Sequence, residues 1–180
     1  MFDRQIQNFT QKPLIIIAKL LLKFLKPNQM TILGFIIGFL MCILIFFQLY
    51  FAALALLLLN RFCDGLDGTM ARLTTPTPLG GYLDIVSDFT IYSGFVLAFG
   101  FSNSSYTTLS MILLFLYIGT GTTFLAKAAI QTQLDKISET NDAIEGLPKS
   151  FHYTSGLVEG TETIIFMVLC LLFPNFFILI

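Results

Sequence analysis

Long apolar stretches separated by short polar links dominate the chain. Three of these stretches contain no Asp, Glu, Lys or Arg: residues 27–60, 89–126 and 163–180. A helix or strand of a soluble domain shows polar positions at a regular period, and these stretches have almost none. About 20 apolar residues are enough for a helix to cross a bilayer. The pattern therefore predicts an all-α, polytopic integral membrane bundle.

The polar links between the apolar stretches divide this bundle into its helices. They predict spans at about 29–49, 51–73, 79–101, 107–133 and 156–173. Only six residues follow Pro174, where a further helix would begin, so either the last element is a stub or the C-terminal end is missing. We therefore expect one membrane domain over 28–180, with five to six transmembrane helices.

Residues 1–27 are predicted to be a separate juxtamembrane segment that contains an amphipathic helix over 13–26. On a helical wheel its basic residues share one side: Lys12, Lys19, Lys23 and Lys26. The apolar residues of the segment lie mostly away from them. A helix of this kind lies in the interface of an anionic leaflet. The alternative is an extension that packs on the protein.

Composition and charge agree with a membrane location. Charged residues make up 12% of the chain, about half the usual share of roughly 25% in soluble proteins. All ten Lys and Arg fall before the first span, at the inner ends of spans or in the loop 134–150, which predicts a cytoplasmic N-terminus. The net charge is −1, and no basic run indicates a nucleic-acid partner.

Four carboxylates interrupt the apolar pattern near the inner ends of the second and third spans. Asp64 and Asp67 are three residues apart, and Asp84 and Asp88 are four apart, so each pair shares one helix face. The Pro- and Gly-rich turn 74–81 reverses the chain between them. We therefore expect the two pairs to face each other at one depth.

Such carboxylates are costly in a membrane, at about 2.5–3.5 kcal/mol each on insertion scales. Only Arg61 and Arg72 lie near enough in sequence to compensate them. Hard divalent cations with oxygen ligands, Mg²⁺ or Mn²⁺, are the simpler compensation. The small residues Gly68 and Ala71 would let a substrate approach the helix backbone, and Arg72 is placed to meet a phosphate.

These residues resemble the signature of the CDP-alcohol phosphotransferases, D-x-x-D-G-x-x-A-R followed by G-x-x-x-D-x-x-x-D. Every specified position of that signature is filled between Asp64 and Asp88. Upstream, Pro27-Asn28-Gln29-Met30-Thr31 is similar to the Pro-Asn-x-x-Thr of the family at the start of its first span. The resemblance covers residues 28–134 well and weakens beyond them.

The resemblance implies a homodimeric membrane enzyme that transfers a phosphatidyl group from CDP-diacylglycerol to a small alcohol and releases CMP. It implies two metal ions, Mg²⁺ or Mn²⁺, with Asp88 also acting as general base. The implied metal ligands are Asp64, Asp67, Asp84 and Asp88, and the implied CDP-binding residues are Asn28, Thr31, Gly68, Ala71 and Arg72. The small size and Lys-rich start favour a bacterial inner membrane enzyme whose active site faces the cytoplasm.

The acceptor alcohol is less well defined. Family members that use phosphorylated acceptors carry Arg in an E-R-x-x-E-R-like stretch of the fifth span, where this chain has Glu159 and Glu162 without Arg. Lys127 either meets an acceptor phosphate or extends to the interface from a helix end. Glycerol 3-phosphate therefore stays open beside other head groups. Lys127, Glu159 and Glu162 are the acceptor-binding candidates.

Three other functions remain to be compared with this interpretation. Within the family, the alternative is transfer of a phospho-aminoalcohol from its CDP derivative to diacylglycerol. Outside it, a divalent-cation transporter would also use intramembrane carboxylates, but it would not need Gly68, Ala71 and Arg72 in register, and no inverted repeat is visible. A non-catalytic scaffold would show no metal-dependent release of CMP.

Overall fold

The computed structural model describes residues 13–140 and 160–177, and this part of the chain is helical without a strand. Helix α1 occupies residues 13–21. The five longer helices follow in order: α2 Pro27–Phe46, α3 Tyr50–Leu73, α4 Pro78–Ser102, α5 Thr107–Thr140 and α6 Gly160–Leu172. Short 3₁₀ turns at Ser104–Tyr106 and Pro174–Phe176 follow α4 and α6. The prediction of an all-α polytopic bundle is confirmed.

Three of these helices are long and apolar enough to cross a bilayer: Pro27–Phe46, Pro78–Ser102 and the stretch Ser104–Ile130. Their outer faces carry many exposed large apolar side chains, as lipid contact requires. Helix α3 has 24 residues, which is long enough to span, but its second half carries the charges of the motif. Helix α6 is a shorter apolar helix of 13 residues.

Helix α2 packs closely against both α3 and α4, and these three helices form the centre of the bundle. Two glycines of α2, Gly34 and Gly38, are buried against α3, and Gly38 also faces Ile91 of α4. The side chain of Asn60 on α3 donates a hydrogen bond of 2.8 Å to the Gly34 carbonyl. These two positions therefore serve contacts within one chain, because their missing side chains let polar and apolar groups of α3 and α4 approach.

The core divides into an outer and an inner cluster. In the outer cluster, aromatic side chains of α4 pack against the segment that follows α6. The rings of Phe99 and Phe177 are stacked there, with their centres 4.5 Å apart. The inner cluster joins α1 to α2 and α3, and its buried members are Ala18, Met30, Cys63, Leu66 and Met70. Helix α1 therefore packs against the half of α3 that carries the aspartates.

Helix α1 is shorter than the predicted 13–26, because a turn replaces its last residues. Ala18 is fully buried on the bundle side, and Leu14 approaches Gly65 of α3. On another side Ile16, Leu20 and Phe24 are exposed. The helix thus packs on the protein with one face, as the alternative held, and still presents the exposed apolar stripe that an interfacial helix needs. The structure contains no membrane, so the interfacial position stays a prediction.

Candidate active site

Three carboxylates of the motif converge between α3 and α4. Asp64, Asp84 and Asp88 each place one oxygen within 4.8 Å of the other two. We call these three residues the carboxylate cluster. They meet because α3 ends at Leu73 and α4 begins at Pro78, so a turn of four residues brings the two motif halves side by side. The Thr77 hydroxyl caps α4 by accepting a hydrogen bond of 3.1 Å from the Gly80 N–H.

Asp67, the fourth predicted metal ligand, lies one helical turn nearer the end of α3. It is buried, at 6% exposure, and it is not among the three carboxylates whose oxygens converge. It borders a narrow cavity that also reaches the carboxylate cluster. The structure therefore places Asp67 beside the cluster, whereas the sequence had grouped the four residues as one set.

A larger cavity of about 730 Å³ opens beside Asp67. All five predicted CDP-binding residues line it: Asn28, Thr31, Gly68, Ala71 and Arg72. Pro27 at the start of α2 and Gly80 in the first turn of α4 line it as well. This main cavity thus presents the side chains of Lys26 and Arg72 and the N-terminal ends of two helices to an anion, and the carboxylates of Asp67 and Asp84 complete its charged lining.

The main cavity and the narrow one share three lining residues, Thr31, Asp67 and Asp84. A molecule in the main cavity would therefore lie next to the carboxylate cluster. Space is left in the main cavity beside Gly68 of α3, because a Cβ added there would meet only the guanidinium of Arg72, at 3.4 Å. Arg72 itself is exposed and donates a hydrogen bond to the Thr69 hydroxyl at 3.2 Å.

Arg61 is the cation nearest to the cluster in the described chain. Its Nη2 donates to Asp88 Oδ1 at 2.9 Å, and its Nη1 lies 3.7 Å from Asp64 Oδ2. The pattern had assigned it to the inner end of a span, yet it is the twelfth of the 24 residues of α3. Asn60 and Tyr92 hold it there, and sequence reasoning missed both. The only signal was a polar Asn-Arg pair directly after four leucines.

The two acceptor candidates that the structure describes, Lys127 and Glu162, lie outside the lining of both cavities. Lys127 is exposed on α5, and Glu162 is exposed in the first turn of α6. Glu159 lies outside the described residues. Their assignment to the acceptor therefore stays a prediction.

The chemistry of the carboxylate cluster fits a hard divalent cation. Three carboxylates have oxygens within 4.8 Å, and the single guanidinium of Arg61 offsets only one of their charges. Carboxylate oxygens are the ligands that Mg²⁺ and Mn²⁺ prefer. Asp64, Asp84 and Asp88 would hold such an ion, with Asp67 close enough to the cavity to add a further ligand.

Fold and site together define an integral membrane protein in which a carboxylate cluster lies next to a cavity lined by Lys26, Arg72 and two helix N-termini. The family model described as CDP-alcohol phosphatidyltransferase matches residues 24–179. The chain therefore belongs to the CDP-alcohol phosphatidyltransferase family, whose members are enzymes that use CDP-linked lipid donors and alcohol acceptors. The resemblance drawn from the motif is confirmed.

Individual relatives agree with this family. The chain is 43% identical to the inner membrane protein YnjF of Escherichia coli over 159 residues, which cover 85% of this chain and 72% of that protein. It is 38% identical over 80 residues to the archaetidylinositol phosphate synthase of Pyrococcus horikoshii, or 43% of each chain. It is 36% identical over 73 residues to the bifunctional IPC transferase and DIPP synthase of Thermococcus kodakarensis, or 40% of this chain and 17% of that protein. No solved structure is significantly similar to the chain.

Proposed function

We propose that the protein transfers a phosphatidyl group from CDP-diacylglycerol to the hydroxyl of a small polar alcohol and releases CMP. One observation carries this proposal: the cavity lined by all five motif residues expected to bind CDP shares Asp67 and Asp84 with the space around the carboxylate cluster. A nucleotide diphosphate bound there would place its pyrophosphate beside the group expected to activate the acceptor.

The main cavity suits the donor in charge and shape. Lys26, Arg72 and the N-terminal ends of α2 and α4 offer positive charge or N–H dipoles to the pyrophosphate. Gly68 and Ala71 let the donor lie against the α3 backbone. Asn28 and Thr31 supply polar groups from α2 for the cytidine part. Because the cavity lies where three membrane helices begin or end, the lipid chains of the donor could remain in the bilayer.

We infer that the four carboxylates hold two divalent ions, Mg²⁺ or Mn²⁺. Such ions supply neutralisation of the charge that develops on the pyrophosphate as CMP leaves. Asp64, Asp84 and Asp88 are the ligands whose oxygens already lie within 4.8 Å of one another. Asp67 would contribute on the side of the main cavity, because it lines that cavity together with Asp84.

Asp88 is the general base in this proposal. Its carboxylate takes the proton of the acceptor hydroxyl, whose oxygen attacks the phosphorus of the phosphatidyl group. The bond between that phosphorus and the bridging pyrophosphate oxygen breaks, and CMP leaves with that oxygen. Because Arg61 occupies Oδ1 of Asp88, the other oxygen, Oδ2, is the one assigned to the proton.

The identity of the acceptor and the surroundings of the protein are also part of the proposal. Glycerol 3-phosphate and other head-group alcohols are the candidates, and the similarity to the archaetidylinositol phosphate synthase of Pyrococcus horikoshii adds an inositol phosphate. Lys127, Glu159 and Glu162 are the proposed acceptor contacts. We place the active site on the cytoplasmic face of a bacterial inner membrane, in a homodimer, with residues 1–27 as a juxtamembrane segment and 28–180 as the membrane domain.

One incubation tests the reaction. Purified protein in lipid nanodiscs is given CDP-diacylglycerol, Mg²⁺ or Mn²⁺ and a panel of alcohols, and both CMP and the lipid product are measured. The control is Asp64→Asn, which removes a carboxylate without changing the size of the side chain. Metal-dependent CMP release by the wild type with at least one acceptor, and its loss in Asp64→Asn, would support the proposal.

The same purified protein, in nanodiscs for CMP release and in sealed vesicles for transport, distinguishes the other candidates. CMP release only from a CDP-aminoalcohol with diacylglycerol would replace the proposed donor with that alternative. Movement of Mn²⁺ into sealed vesicles without CMP release would indicate a divalent-cation transporter. Absence of CMP release under every condition, with a folded protein, would contradict the enzymatic proposal altogether.

A further inference from the structure

Arg61 makes a set of contacts that the proposed reaction does not yet use. Its Nε and Nη2 both donate to Asn60 Oδ1, at 2.9 and 2.7 Å. Its Nη1 donates to the Tyr92 hydroxyl at 2.8 Å, and its guanidinium carbon lies 5.3 Å from the centre of the Tyr92 ring. Nη2 also donates to Asp88 Oδ1 at 2.9 Å. The planar guanidinium is therefore held in one rotation by neighbours on both sides.

The neighbours of Arg61 are themselves fixed. Asn60 is buried, at 3% exposure, and its amide donates to the Gly34 carbonyl of α2 at 2.8 Å. The Asn60 carbonyl oxygen, which accepts from Arg61, is therefore turned away from α2 by that second bond. Tyr92 lies one turn beyond Asp88 on α4. The same helix therefore carries the hydroxyl that holds Arg61 and the carboxylate to which Arg61 donates.

An arginine at mid-helix with a side chain only 13% exposed is costly in a membrane and would need compensation in any case. Charge compensation alone does not explain the geometry, because Asp64 also carries a carboxylate yet lies farther from Arg61, at 3.7 Å. The short bond goes to one oxygen of Asp88. A guanidinium held by Asn60 of its own helix and by Tyr92 of α4, with a further N–H directed to one carboxylate oxygen, is arranged to orient that carboxylate.

We propose that Arg61 is a positioning residue that holds Asp88 by Oδ1, so that Oδ2 faces the reacting hydroxyl. This inference depends on the proposed role of Asp88 as general base. Arg61 lines the narrow cavity around the carboxylate cluster but not the main cavity, so in this assignment it does not touch the donor. Its removal should therefore affect turnover, while donor binding and metal binding remain.

The test compares Arg61→Met, which keeps the unbranched apolar stem without the guanidinium, with Arg61→Lys, which keeps the charge. CMP release gives kcat and KM for CDP-diacylglycerol, and Mn²⁺ binding is measured separately by electron paramagnetic resonance. For Arg61→Met we expect kcat to fall on the order of 100-fold, because a misplaced catalytic group costs about that much. KM should stay within about twofold of the wild-type value, since the donor cavity is intact. The number of bound Mn²⁺ ions should not change, since the four carboxylates are intact.

Arg61→Lys separates orientation from charge. Its ammonium cannot donate to Asn60, Tyr92 and Asp88 in one plane, so we expect only partial recovery, with kcat about tenfold below wild type. Full recovery would show that a positive charge is sufficient and would overturn the positioning role. An unchanged kcat in Arg61→Met would overturn it as well, as would a loss of Mn²⁺ binding that accounts for the lost turnover.

Tyr92→Phe gives a second test that does not remove the arginine. It deletes the hydroxyl that accepts from Arg61 and keeps the ring, so we expect a fall in kcat of about threefold in the wild-type background and none in Arg61→Met. Equal effects in both backgrounds would mean that Tyr92 does not act through Arg61. If Arg61→Met does not fold, Tyr92→Phe and Arg61→Lys still decide the question. Wild-type protein without CMP release would instead contradict the proposed reaction, so the two failures are distinguishable.

Discussion

Gly38 of α2 lies so close to Ile91 of α4 that a Cβ on the glycine would be 2.7 Å from Ile91 Cδ1. The same Cβ would lie 3.0 Å from the Asn60 amide nitrogen, which already donates a hydrogen bond to the Gly34 carbonyl of α2. Ile91 is 2% exposed and has little room to move. The contact between these two residues therefore limits how closely the three central helices can pack around the site.

Gly38→Ala should destabilise the bundle by about 1–3 kcal/mol, because overpacking forces side chains or backbone to shift. Gly119→Ala is the matched control, since a Cβ there meets nothing within 4 Å. Unfolding is best followed with a thiol-reactive dye, because the chain has three cysteines and no tryptophan. Adding Ile91→Val to Gly38→Ala should restore part of the loss. Equal stability of the two alanine variants would contradict the packing argument.

Gly68→Ala should behave differently from Gly38→Ala. Only the flexible end of Arg72 lies near the added Cβ, at 3.4 Å, so the fold should be unaffected or slightly stabilised. The main cavity, however, loses space beside the α3 backbone. We expect KM for CDP-diacylglycerol to rise on the order of tenfold, about 1.4 kcal/mol of lost binding. A destabilised protein with unchanged KM would show that Gly68 serves packing instead.

Substitution of different carboxylates should weaken the binding of different Mn²⁺ ions. Asp64 belongs to the carboxylate cluster and Asp67 lies beside it. We therefore expect Asp64→Asn to weaken the tighter of two bound ions, and Asp67→Asn to weaken the other. Titration of each variant with Mn²⁺, followed by electron paramagnetic resonance, measures both. Identical losses in the two variants would mean that all four carboxylates act as one set, as the sequence pattern alone had suggested.

Asp88→Asn tests the general base. The amide has nearly the size of the carboxylate but cannot accept the acceptor proton, so kcat should fall about 10²–10⁴-fold. CDP-diacylglycerol should still bind, because Asp88 does not line the main cavity. Binding and turnover are measured on the same preparation. Near-normal turnover would exclude Asp88 as the base.

The exposed apolar stripe of α1 gives a test of its interfacial position. Leu20 is 56% exposed and lies between Ile16 and Phe24 on the stripe. Because the chain has no tryptophan, Leu20→Trp would be its only indole. We expect a blue-shifted emission that brominated lipids quench, as for a side chain at the acyl boundary. Emission of a fully hydrated indole would instead favour a helix that packs on the protein above the membrane.

Much of the fold could be predicted from the chain because the membrane requires long uncharged helices. The run from Pro27 to Asn60 has no charge, and a break near Gln48, where φ is positive, divides it into α2 and the start of α3. The aspartates could be paired because i, i+3 and i, i+4 spacing and a short turn decide which faces meet. Both rules depend only on residues that are close in sequence, so they predict the helices and the pairing of the aspartates.

Contacts between distant helices were not predictable in the same way. The Asn60–Gly34 bond joins residues 26 positions apart, and the Arg61–Tyr92 bond joins residues 31 apart. Their partners depend on how three helices rotate against one another, which no spacing in one segment specifies. Lys127 and Glu162 lie on α5 and α6, outside the motif helices, so their placement could not be derived from the motif.

Helix α5 has 34 residues, and at about 1.5 Å per residue it is roughly 50 Å long. The hydrocarbon core of a bilayer is about 30 Å thick, and the apolar part of this helix ends near Ile130. Its last ten residues therefore lie beyond the apolar part of the helix, at the end of the bundle where α3 ends and α4 begins. In the proposed reaction, this is the aqueous side from which a water-soluble acceptor would arrive.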